Sequence, residues 1–322
     1  MSHHLAMPDL SSPFVSVIVP AYNRSRLLEG CLLSLAAQTY DGRRWEVIVV
    51  DDGSSDDTEA VVASITGTMP IACVRHAERQ GSGPARNTAL ALARGDIVLF
   101  LDSDTVAPPC LLAEHARGHA NRRCFVDGPA ITVRGNPQAG SWPFDAPWVR
   151  ALAALDVAGS EFVTVNVSCR RDELLAAGGF DPVFGPRYGW EDTELGVRLR
   201  RRGVERVKNR RAFVLHRLVR GYDWRDRGRK QREAGENAAY FLARHPTREV
   251  ARLVKGRPAI ARALAACGLD AERVANACAR RRSRTPLSWA LRQAYEIQQY
   301  ERGLRHGRHL IDGQLASRRE PA

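Results

Sequence analysis

Apolar runs alternate with helical patterns along the first hundred residues of the chain. Residues 15–19 (VSVIV) and 45–50 (WEVIVV) are apolar and rich in β-branched side chains, which predicts buried parallel strands. Between them, apolar residues recur at helical spacing over 26–37. The alternation continues with a helix at 55–64, a weak strand at 71–75, a helix at 84–93 and a strand at 96–101. This order predicts an α/β fold with a mostly parallel sheet and helices on both faces.

Polar clusters follow three of the predicted strands. The first strand is followed by AYNR, the second by DDGSSDD and the fourth by DSD. In open parallel sheets, ligands bind beyond the carboxyl ends of the strands. Because two of these clusters carry paired acids next to purely apolar strands, the pattern predicts a ligand site at this edge of the sheet.

The acid pair Asp102 and Asp104 favours a divalent cation. In an extended segment, residues i and i+2 project to the same side, and two such carboxylates repel unless a cation lies beside them. Mg²⁺ and Mn²⁺ suit this arrangement, since one or two carboxylates hold them while they bridge substrate phosphates. A competing interpretation is that DSDTV resembles the nucleophile motif of haloacid-dehalogenase-type phosphatases, in which Asp102 would attack phosphorus.

A second cluster lies at residues 178–199, where Trp190, Glu191 and Asp192 open a predicted helix. The two acids either stabilise the N-terminus of that helix or place one carboxylate as a general base shielded by Trp190. His216 follows an apolar stretch and is either a core histidine or a neutral ligand that completes a cation site with Asp104. His115 and His119 have the i, i+4 spacing of a metal pair, on a helix predicted to be exposed.

Composition places the chain among globular proteins. Of its 322 residues, 44% are hydrophobic and 26% are charged, and the length predicts one large domain plus an appendage, or two domains. No apolar run approaches the roughly 20 residues that cross a bilayer, and the start of the sequence resembles no secretory signal, so we expect a cytoplasmic protein. Seven cysteines without a CxxC pair suggest neither a disulfide framework nor a zinc site.

The positive charge is concentrated at the end of the chain. The net charge is +12, and residues 226–322 hold 21 basic and 10 acidic side chains. Such a segment favours anionic surfaces, and peripheral contact with the inner face of a membrane is one interpretation; an ordinary solvated surface is the other. The sequence contains no RNA-binding or zinc-finger signature, so we expect no specific nucleic acid partner.

Five segments together carry a family resemblance: VSVIVPAYNR, VVDDGSSDDT, GSGPARNTALALARGDIVLFLDSD, NVSCRRDELLAAGGFD and WEDTELGVRLRRRG. In this order, over about residues 14–217, they resemble the family 2 glycosyltransferases of the GT-A fold. From Gly178 onward the chain is also similar to galactosyltransferase-type and chondroitin-polymerase-type domains. The resemblance implies inverting sugar transfer from a nucleotide diphosphate, most commonly UDP, with Mn²⁺ or Mg²⁺. It implies a hydroxyl acceptor on a glycan, a lipid-linked molecule or a small molecule.

The resemblance also assigns roles to individual residues. Asp192 corresponds to the catalytic base and Glu191 to its neighbour in acceptor binding, while Asp104 and His216 correspond to the metal ligands. Gly189, Trp190 and Asn166 are expected in the acceptor and sugar pocket. The expected nucleotide-binding residues are Pro20, Ala21, Tyr22, Asn23, Asp51, Asp52, Arg86, Asp102 and Ser103.

The predicted domain organisation has three parts: a flexible N-terminus at 1–13, a GT-A catalytic domain at 14–225 and a basic helical segment at 226–322. Two other functions stay open at this point. One is the phosphatase that would use Asp102, and the other is a nucleotide-sugar binding protein without turnover, since GT-A-like domains can lose their chemistry.

Overall fold

The computed structural model describes residues 12–41, 43–120, 122–134, 142–154, 162–218, 223–267 and 286–317. These residues form two compact units. The first contains the described residues within Met1–Pro186 and Glu191–Val219, and the second those within Arg187–Trp190 and Arg220–Ala322. Among the described residues, none of the helices combines the length and the apolar character needed to cross a membrane.

The first unit is an α/β structure. Its described helices are α1 (Ser25–Ala36), α2 (Thr58–Ile65), α3 (Ser82–Leu92), α4 (Leu111–Gly118), α5 (Pro147–Ala154), α6 (Arg171–Ala176) and α7 (Glu191–Arg201). Its described strands are β1 (Val15–Ala21), β2 (Trp45–Asp51), β3 (Ile71–Arg75), β4 (Ile97–Leu101), β5 (Thr105–Val106), β6 (Cys124–Asp127), β7 (Ala130–Arg134), β8 (Asn166–Arg170), β9 (Glu205–Lys208) and β10 (Val214–Leu218).

Seven of these strands form a large sheet in the order β3-β2-β1-β4-β8-β6-β9. Strand β8 runs antiparallel to both of its neighbours, and the other described pairings in this sheet are parallel. The predicted mostly parallel sheet is therefore confirmed. Because β8 is reversed, its first residue, Asn166, pairs with the last residue of β4, Leu101, at the carboxyl edge of the parallel strands.

Helices cover both faces of the large sheet because side chains alternate along each strand. In β1, Val17 and Val19 pack into one hydrophobic core with residues of α1, α2 and α4. Ile18, between them, packs into a second core with residues of α3, α6 and α7. Both cores exclude water from the strands, which explains why β1 and β2 have apolar sequences without polar alternation.

A small three-stranded sheet, in the order β5-β10-β7, lies in the same unit. The chain passes from the large sheet to the small one three times, between β4 and β5, between β6 and β7 and between β9 and β10. Strand β10 is antiparallel to β5, and His216 pairs there with Thr105. This pairing brings His216 next to the acid cluster that follows β4.

The second unit consists of helices. They are α8 (Trp224–Arg244), α9 (Arg248–Leu253), α10 (Pro258–Ala266) and α11 (Pro286–Ser317). Helices α8 and α11 pack with their backbones in direct contact, which two glycines permit. A Cβ on Gly303 would lie 1.9 Å from the carbonyl oxygen of Arg232, and one on Gly235 would lie 2.1 Å from that of Tyr300.

One exposure prediction is wrong. His115 and His119 lie at the end of α4, but both are buried instead of exposed, because this face of α4 packs on β8 and both rings hydrogen-bond to Ser168. Their ring nitrogens face Asn166, Ser168 and Cys124, and among the described residues no group of three or more His, Cys, Asp or Glu side chains is arranged to hold a metal. The cysteines Cys31, Cys73, Cys110, Cys124, Cys169 and Cys267 are free; Cys278 lies outside the described residues.

Candidate functional site

Three polar loops meet at one edge of the large sheet. Strands β2, β1 and β4 are neighbours, so the loops that follow Ala21, Asp51 and Leu101 emerge side by side. Hydrogen bonds tie the first two loops together: Ser55 N–H donates to Asn23 Oδ1 at 2.8 Å. Asn23 has a φ of +49°, a left-handed conformation that asparagine tolerates better than most residues.

The two acids of the second loop have different partners. Asp52 is buried and accepts hydrogen bonds from Gln80 N–H at 2.9 Å, Gly81 N–H at 2.8 Å and the His76 ring at 2.9 Å, so its carboxylate holds the loop before α3. Asp51 accepts from Ser54 N–H at 2.9 Å through Oδ1. Its Oδ2 is buried and accepts no hydrogen bond from the residues that the structure describes, although the guanidinium of Arg75 lies 3.8 Å away. This oxygen can therefore accept a hydrogen bond from a bound ligand.

The other nucleotide-binding residues predicted on the first and third loops lie at the same edge. Tyr22 is exposed, and the guanidinium of Arg79 stacks 4.6 Å from the centre of its ring. Pro20 is partly buried, and Ala21 and Ser103 are buried. An exposed aromatic ring at this position offers a flat apolar surface to a ligand.

Arg86, on α3, connects two acid clusters. Its guanidinium donates to Asp102 Oδ1 at 2.9 Å and lies 3.5 Å from Glu191 Oε1. Ser82 Oγ also donates to Glu191 Oε1, at 2.7 Å. The side chain of Arg86 is only 4% exposed, so this positive charge is held almost entirely inside the protein. A buried guanidinium with a fixed direction is well placed to bind a planar or phosphate-like anion.

Asp104 is surrounded by cationic side chains. Arg24 forms an ion pair with its Oδ2, and His216 Nε2 lies 3.3 Å from its Oδ1. Burial alone would raise the pKa of Asp104, but the contact with His216 and the charge of Arg24 outweigh burial and hold this pKa below its ordinary value. The same contact raises the pKa of His216.

The Asp104 and His216 side chains fit a divalent cation. Asp104 Oδ1 is buried and has no hydrogen-bond partner, and it faces an imidazole nitrogen. A carboxylate oxygen is the ligand type that Mg²⁺ and Mn²⁺ prefer. Among the residues that the structure describes, no group of three or more His, Cys, Asp or Glu side chains is arranged to hold a metal. A cation here would therefore need oxygen ligands from a bound molecule as well.

Asp192 lies at the start of α7, next to Glu191. Its Oδ1 accepts from Thr193 N–H at 2.7 Å, and its Oδ2 accepts from Thr164 N–H at 3.4 Å. Desolvation, together with the negative charge of Glu191, raises the pKa of Asp192 to about 6, although Arg86 acts in the opposite direction. A carboxylate with such a pKa is suited to accept a proton near neutral pH.

Gly189 and Trp190, predicted in the acceptor pocket, precede Glu191 in the chain and belong to the second unit. Trp190 Nε1 donates to the carbonyl of Ala234 at 2.9 Å, and Gly189 O accepts from Asn237 at 2.9 Å. Trp190 has a φ of +78°, which is unusual for a large side chain and occurs where the surrounding structure enforces it. Their role in acceptor binding stays a prediction.

Asn166, also predicted in the sugar pocket, is not among the residues brought together at the site. It is fully buried. Its amide nitrogen donates to the carbonyl oxygens of Ala212 and Pro129, and its oxygen contacts His115 Nε2. Because every polar atom of this amide is already bonded to protein, none is free for a sugar.

Two residues at the site were missed by sequence reasoning. Arg24 was passed over because a single arginine in AYNR does not reveal that its side chain turns toward Asp104. Ser82 holds Glu191, which lies more than a hundred residues later in the chain. The only signal for either residue was its position directly after a strand or at the start of a helix on the ligand edge.

Comparisons with known proteins show which family and which fold the chain resembles. Residues 16–145 match the family described as Glycosyl transferase family 2. The chain is 31% identical over 240 residues to the uncharacterized glycosyltransferase YfnE of Bacillus subtilis (strain 168), covering 59% of this chain and 61% of that protein. It is 32% identical over 243 residues to validoxylamine A glucosyltransferase of Streptomyces hygroscopicus subsp. limoneus, covering 65% of this chain and 53% of that protein.

The chain thus spans between half and two thirds of the length of these relatives. Among solved structures, it is similar to the mannosyltransferase PcManGT from Pyrobaculum calidifontis in complex with GDP-Man and Mn²⁺. The TM-score is 0.59 at 22% sequence identity, with 94% of this chain and 88% of the other covered. This similarity shows that the two proteins share the GT-A fold.

Proposed function

We propose that the chain transfers a sugar, with inversion, from a nucleotide diphosphate donor to a hydroxyl group, because residues 16–145 match the family described as Glycosyl transferase family 2. The catalytic domain of this proposal is residues 14–225. The observation that carries the proposal is the arrangement of Arg86, which joins Asp102 on one side to Glu191, the neighbour of Asp192, on the other. One buried cation thus lies between a candidate diphosphate site and a candidate base.

We propose that the nucleotide is UDP. The Oδ2 of Asp51, which accepts no hydrogen bond from the described residues, is suited to accept one from an imide N–H such as that of uracil, and Tyr22 offers a ring face to the base. We propose that Asp102 contacts the ribose. The relatives support a nucleotide sugar in general, and the choice of UDP rests on this chemistry and on the commonest donor in the family.

The metal-binding role in this proposal falls to Asp104 and His216. When bound, Mn²⁺ or Mg²⁺ supplies positive charge that offsets the charge on a diphosphate. Arg24, which pairs with Asp104 Oδ2, and Arg86 add two further positive charges to the same region.

The reaction we propose is a single displacement. The acceptor hydroxyl attacks the anomeric carbon, its proton passes to Asp192, and the bond between that carbon and the diphosphate oxygen breaks with its electron pair on the diphosphate. The guanidinium of Arg86 stabilises the developing charge of the leaving group. Inversion follows because attack and departure occur on opposite faces of the sugar.

The acceptor is proposed as a hydroxyl on a glycan, a lipid-linked molecule or a small molecule. For a lipid-linked acceptor, the basic segment 226–322 would hold the protein at the inner face of a membrane from the cytoplasm. We expect full-length protein to float with vesicles that contain anionic lipid and to remain unbound with neutral vesicles. An equal fraction of floating protein with both vesicle types would contradict membrane contact through the basic segment.

Titration calorimetry with nucleotide diphosphates tests the function directly. We expect UDP to bind more tightly in the presence of Mn²⁺ than in a chelator, and this difference to disappear in Asp104→Asn. Arg43→Gln is a suitable control, since Arg43 pairs only weakly with Asp41 at the surface. Binding of no nucleotide diphosphate under any of these conditions would contradict the proposed function.

The phosphatase alternative is not favoured. It requires Asp102 as a nucleophile, but one Asp102 oxygen already accepts a hydrogen bond from Arg86, and residues 16–145 match a transferase family. A binding protein without turnover is also disfavoured, because the chain retains both Asp192 and the buried Arg86 that the proposed transfer requires.

A further inference from the structure

A continuous chain of hydrogen bonds links five buried side chains that the proposed reaction does not use. His115 Nε2 lies 3.0 Å from Asn166 Oδ1, and His115 Nδ1 lies 2.8 Å from Ser168 Oγ. His119 Nε2 lies 2.8 Å from the same hydroxyl oxygen, and His119 Nδ1 lies 3.7 Å from Cys124 Sγ. All five side chains are buried.

The donor and acceptor roles along this chain are fixed by its first member. Asn166 Nδ2 donates to two carbonyl groups, so Asn166 Oδ1 must accept from His115 Nε2–H. A neutral histidine carries one ring proton, so His115 Nδ1 accepts from Ser168 O–H. The serine has then used its only proton, and its oxygen accepts from His119 Nε2–H. Cys124, whose sulfur also lies 3.6 Å from Gly118 O, ends the chain.

This order requires both histidines to be neutral. Burial supplies that condition: it lowers the pKa of His115 to about 4 and that of His119 to about 3. The neighbouring charged groups are Glu114, which favours a charged His115, and Arg170, which disfavours a charged His119.

The Asn166 amide joins two of the three places where the chain passes from the large sheet to the small sheet. It donates to Pro129 O at 3.3 Å, between β6 and β7, and to Ala212 O at 2.6 Å, between β9 and β10. The backbone segments are in direct contact here, since a Cβ on Gly128 would lie 1.9 Å from Ala212 O. One side chain therefore holds both crossings at once.

The crossing between β9 and β10 leads directly to the candidate metal site. Val214 N–H donates to Pro129 O at 2.8 Å, which sets β10 beside β7. Two residues later, His216 pairs with Thr105, the residue that follows Asp104. The position of the small sheet therefore determines how the imidazole of His216 meets the Asp104 carboxylate.

We infer that Asn166, oriented by His115 and Ser168, is a positioning residue that sets His216 against Asp104. The expected effect of Asn166 on sugar-donor binding rests on the proposed function. Its expected effect on the position of the His216 ring does not depend on that function. Residues that orient a metal ligand from behind commonly change metal affinity by about 10- to 100-fold when they are replaced.

The substitution Asn166→Asp tests this role, because a carboxylate has the same shape but cannot donate to Ala212 O and Pro129 O. We expect the ring signals of His216, assigned with His216→Gln, to shift in the NMR spectrum of Asn166→Asp, while those of His76 stay in place. We also expect the Mn²⁺ concentration for half-maximal turnover to rise about 10- to 100-fold, with kcat at saturating Mn²⁺ changed less than about twofold.

Gln38→Glu is the matched control. The Gln38 amide also donates to two carbonyls, those of Ser34 and Pro108, and accepts from Leu112 N–H, but it touches neither crossing. This variant should lose stability without a change in the Mn²⁺ requirement or in the His216 signals. An equal rise in the Mn²⁺ requirement for both variants would overturn the inference, because general loosening would then explain it.

Two further measurements do not depend on the folding of Asn166→Asp. Ser168→Ala removes the hydroxyl between the two histidines, and we expect a smaller shift of the His216 signals in the same direction. In the wild-type protein, ¹⁵N spectra should show both His115 and His119 protonated on Nε2 alone. Unshifted His216 signals, or a proton on His115 Nδ1, would overturn the inference. A wild-type enzyme without any Mn²⁺ dependence would instead count against the proposed metal role.

Discussion

Two adjacent carboxylates at the start of α7 differ in their availability to a substrate. Glu191 Oε1 is already bonded to Ser82 and lies near Arg86, so this side chain holds other residues in place. Among the described residues, Asp192 receives only backbone N–H groups and a threonine hydroxyl, and its pKa is raised to about 6. Environment, rather than residue type, therefore favours Asp192 over Glu191 as the proposed base.

This pKa leads to a pH prediction. Asp192 must be ionised to accept a proton, so we expect kcat/KM to rise with pH and to level off above about pH 6. Asp192→Asn should lower kcat by about 10²- to 10⁴-fold, the usual contribution of a general base, while sugar-donor affinity measured by calorimetry stays unchanged. A rate that is independent of pH between 5 and 7, or an active asparagine variant, would remove Asp192 from this role.

Sequence reasoning brought the charged residues of the site together but could not assign their partners. Paired acids after apolar strands predicted the ligand edge that contains Asp51, Asp102 and Asp104, and the structure places all three there. It did not reveal that Asp52 is used by the protein, because its partners are backbone N–H groups of a loop almost thirty residues later. For His115, the signal was present: it lies four residues after Leu111, on the same buried face of α4.

At the scale of elements, strands with continuous apolar sequences were predictable. Strands that form only by pairing with distant residues were not. The apolar runs of β1, β2 and β4 identify buried parallel strands without any tertiary information. Helix α2 begins at Thr58 instead of residue 55, because Asp56 bonds to Thr58 N–H and Oγ and keeps the preceding residues in a turn. The small sheet was missed, since β5 has two residues and pairs with β10, which lies more than a hundred residues further along the chain.

The backbone contact between α8 and α11 predicts whether the substitution Gly303→Ala raises or lowers the stability of the protein. Helix propensity alone would make Gly303→Ala stabilising by about 1 kcal/mol. Close packing predicts the opposite, because the added Cβ would meet the carbonyl of Arg232 at 1.9 Å and force the helices apart. We expect a lower melting temperature for Gly303→Ala in a circular dichroism melt. An unchanged or higher melting temperature would show that these helices are not in backbone contact.

At the scale of the whole molecule, the buried histidines make folding sensitive to mild acid. The unfolded chain takes up protons on His115 and His119 near the ordinary pKa of 6.5, whereas the folded protein holds both neutral until about pH 4 and about pH 3. The unfolded state therefore binds more protons between these values, and stability falls as the pH is lowered. Each histidine contributes about 2 kcal/mol of destabilisation between pH 7 and pH 5.

Urea unfolding at several pH values measures this effect. His216, Asp192 and Asp102 act in the opposite direction, since their pKa values are raised and their protonation favours the folded state as the pH falls. Asp192 offsets only about 1 kcal/mol of the histidine effect between pH 7 and pH 5, so we expect the free energy of unfolding at pH 5 to be lower than at pH 7. A constant or larger value at pH 5 would mean that the two rings are not held neutral in the folded protein.

The position of Arg86 has a consequence for the timing of the proposed reaction. Its positive charge keeps the proton affinity of Asp192 lower than burial alone would make it. As the departing diphosphate gains negative charge beside the guanidinium, this restraint is partly cancelled. Asp192 would thus become a stronger base at the moment when the attacking oxygen gives up its proton, so bond cleavage and proton transfer would be synchronised by a single shared charge.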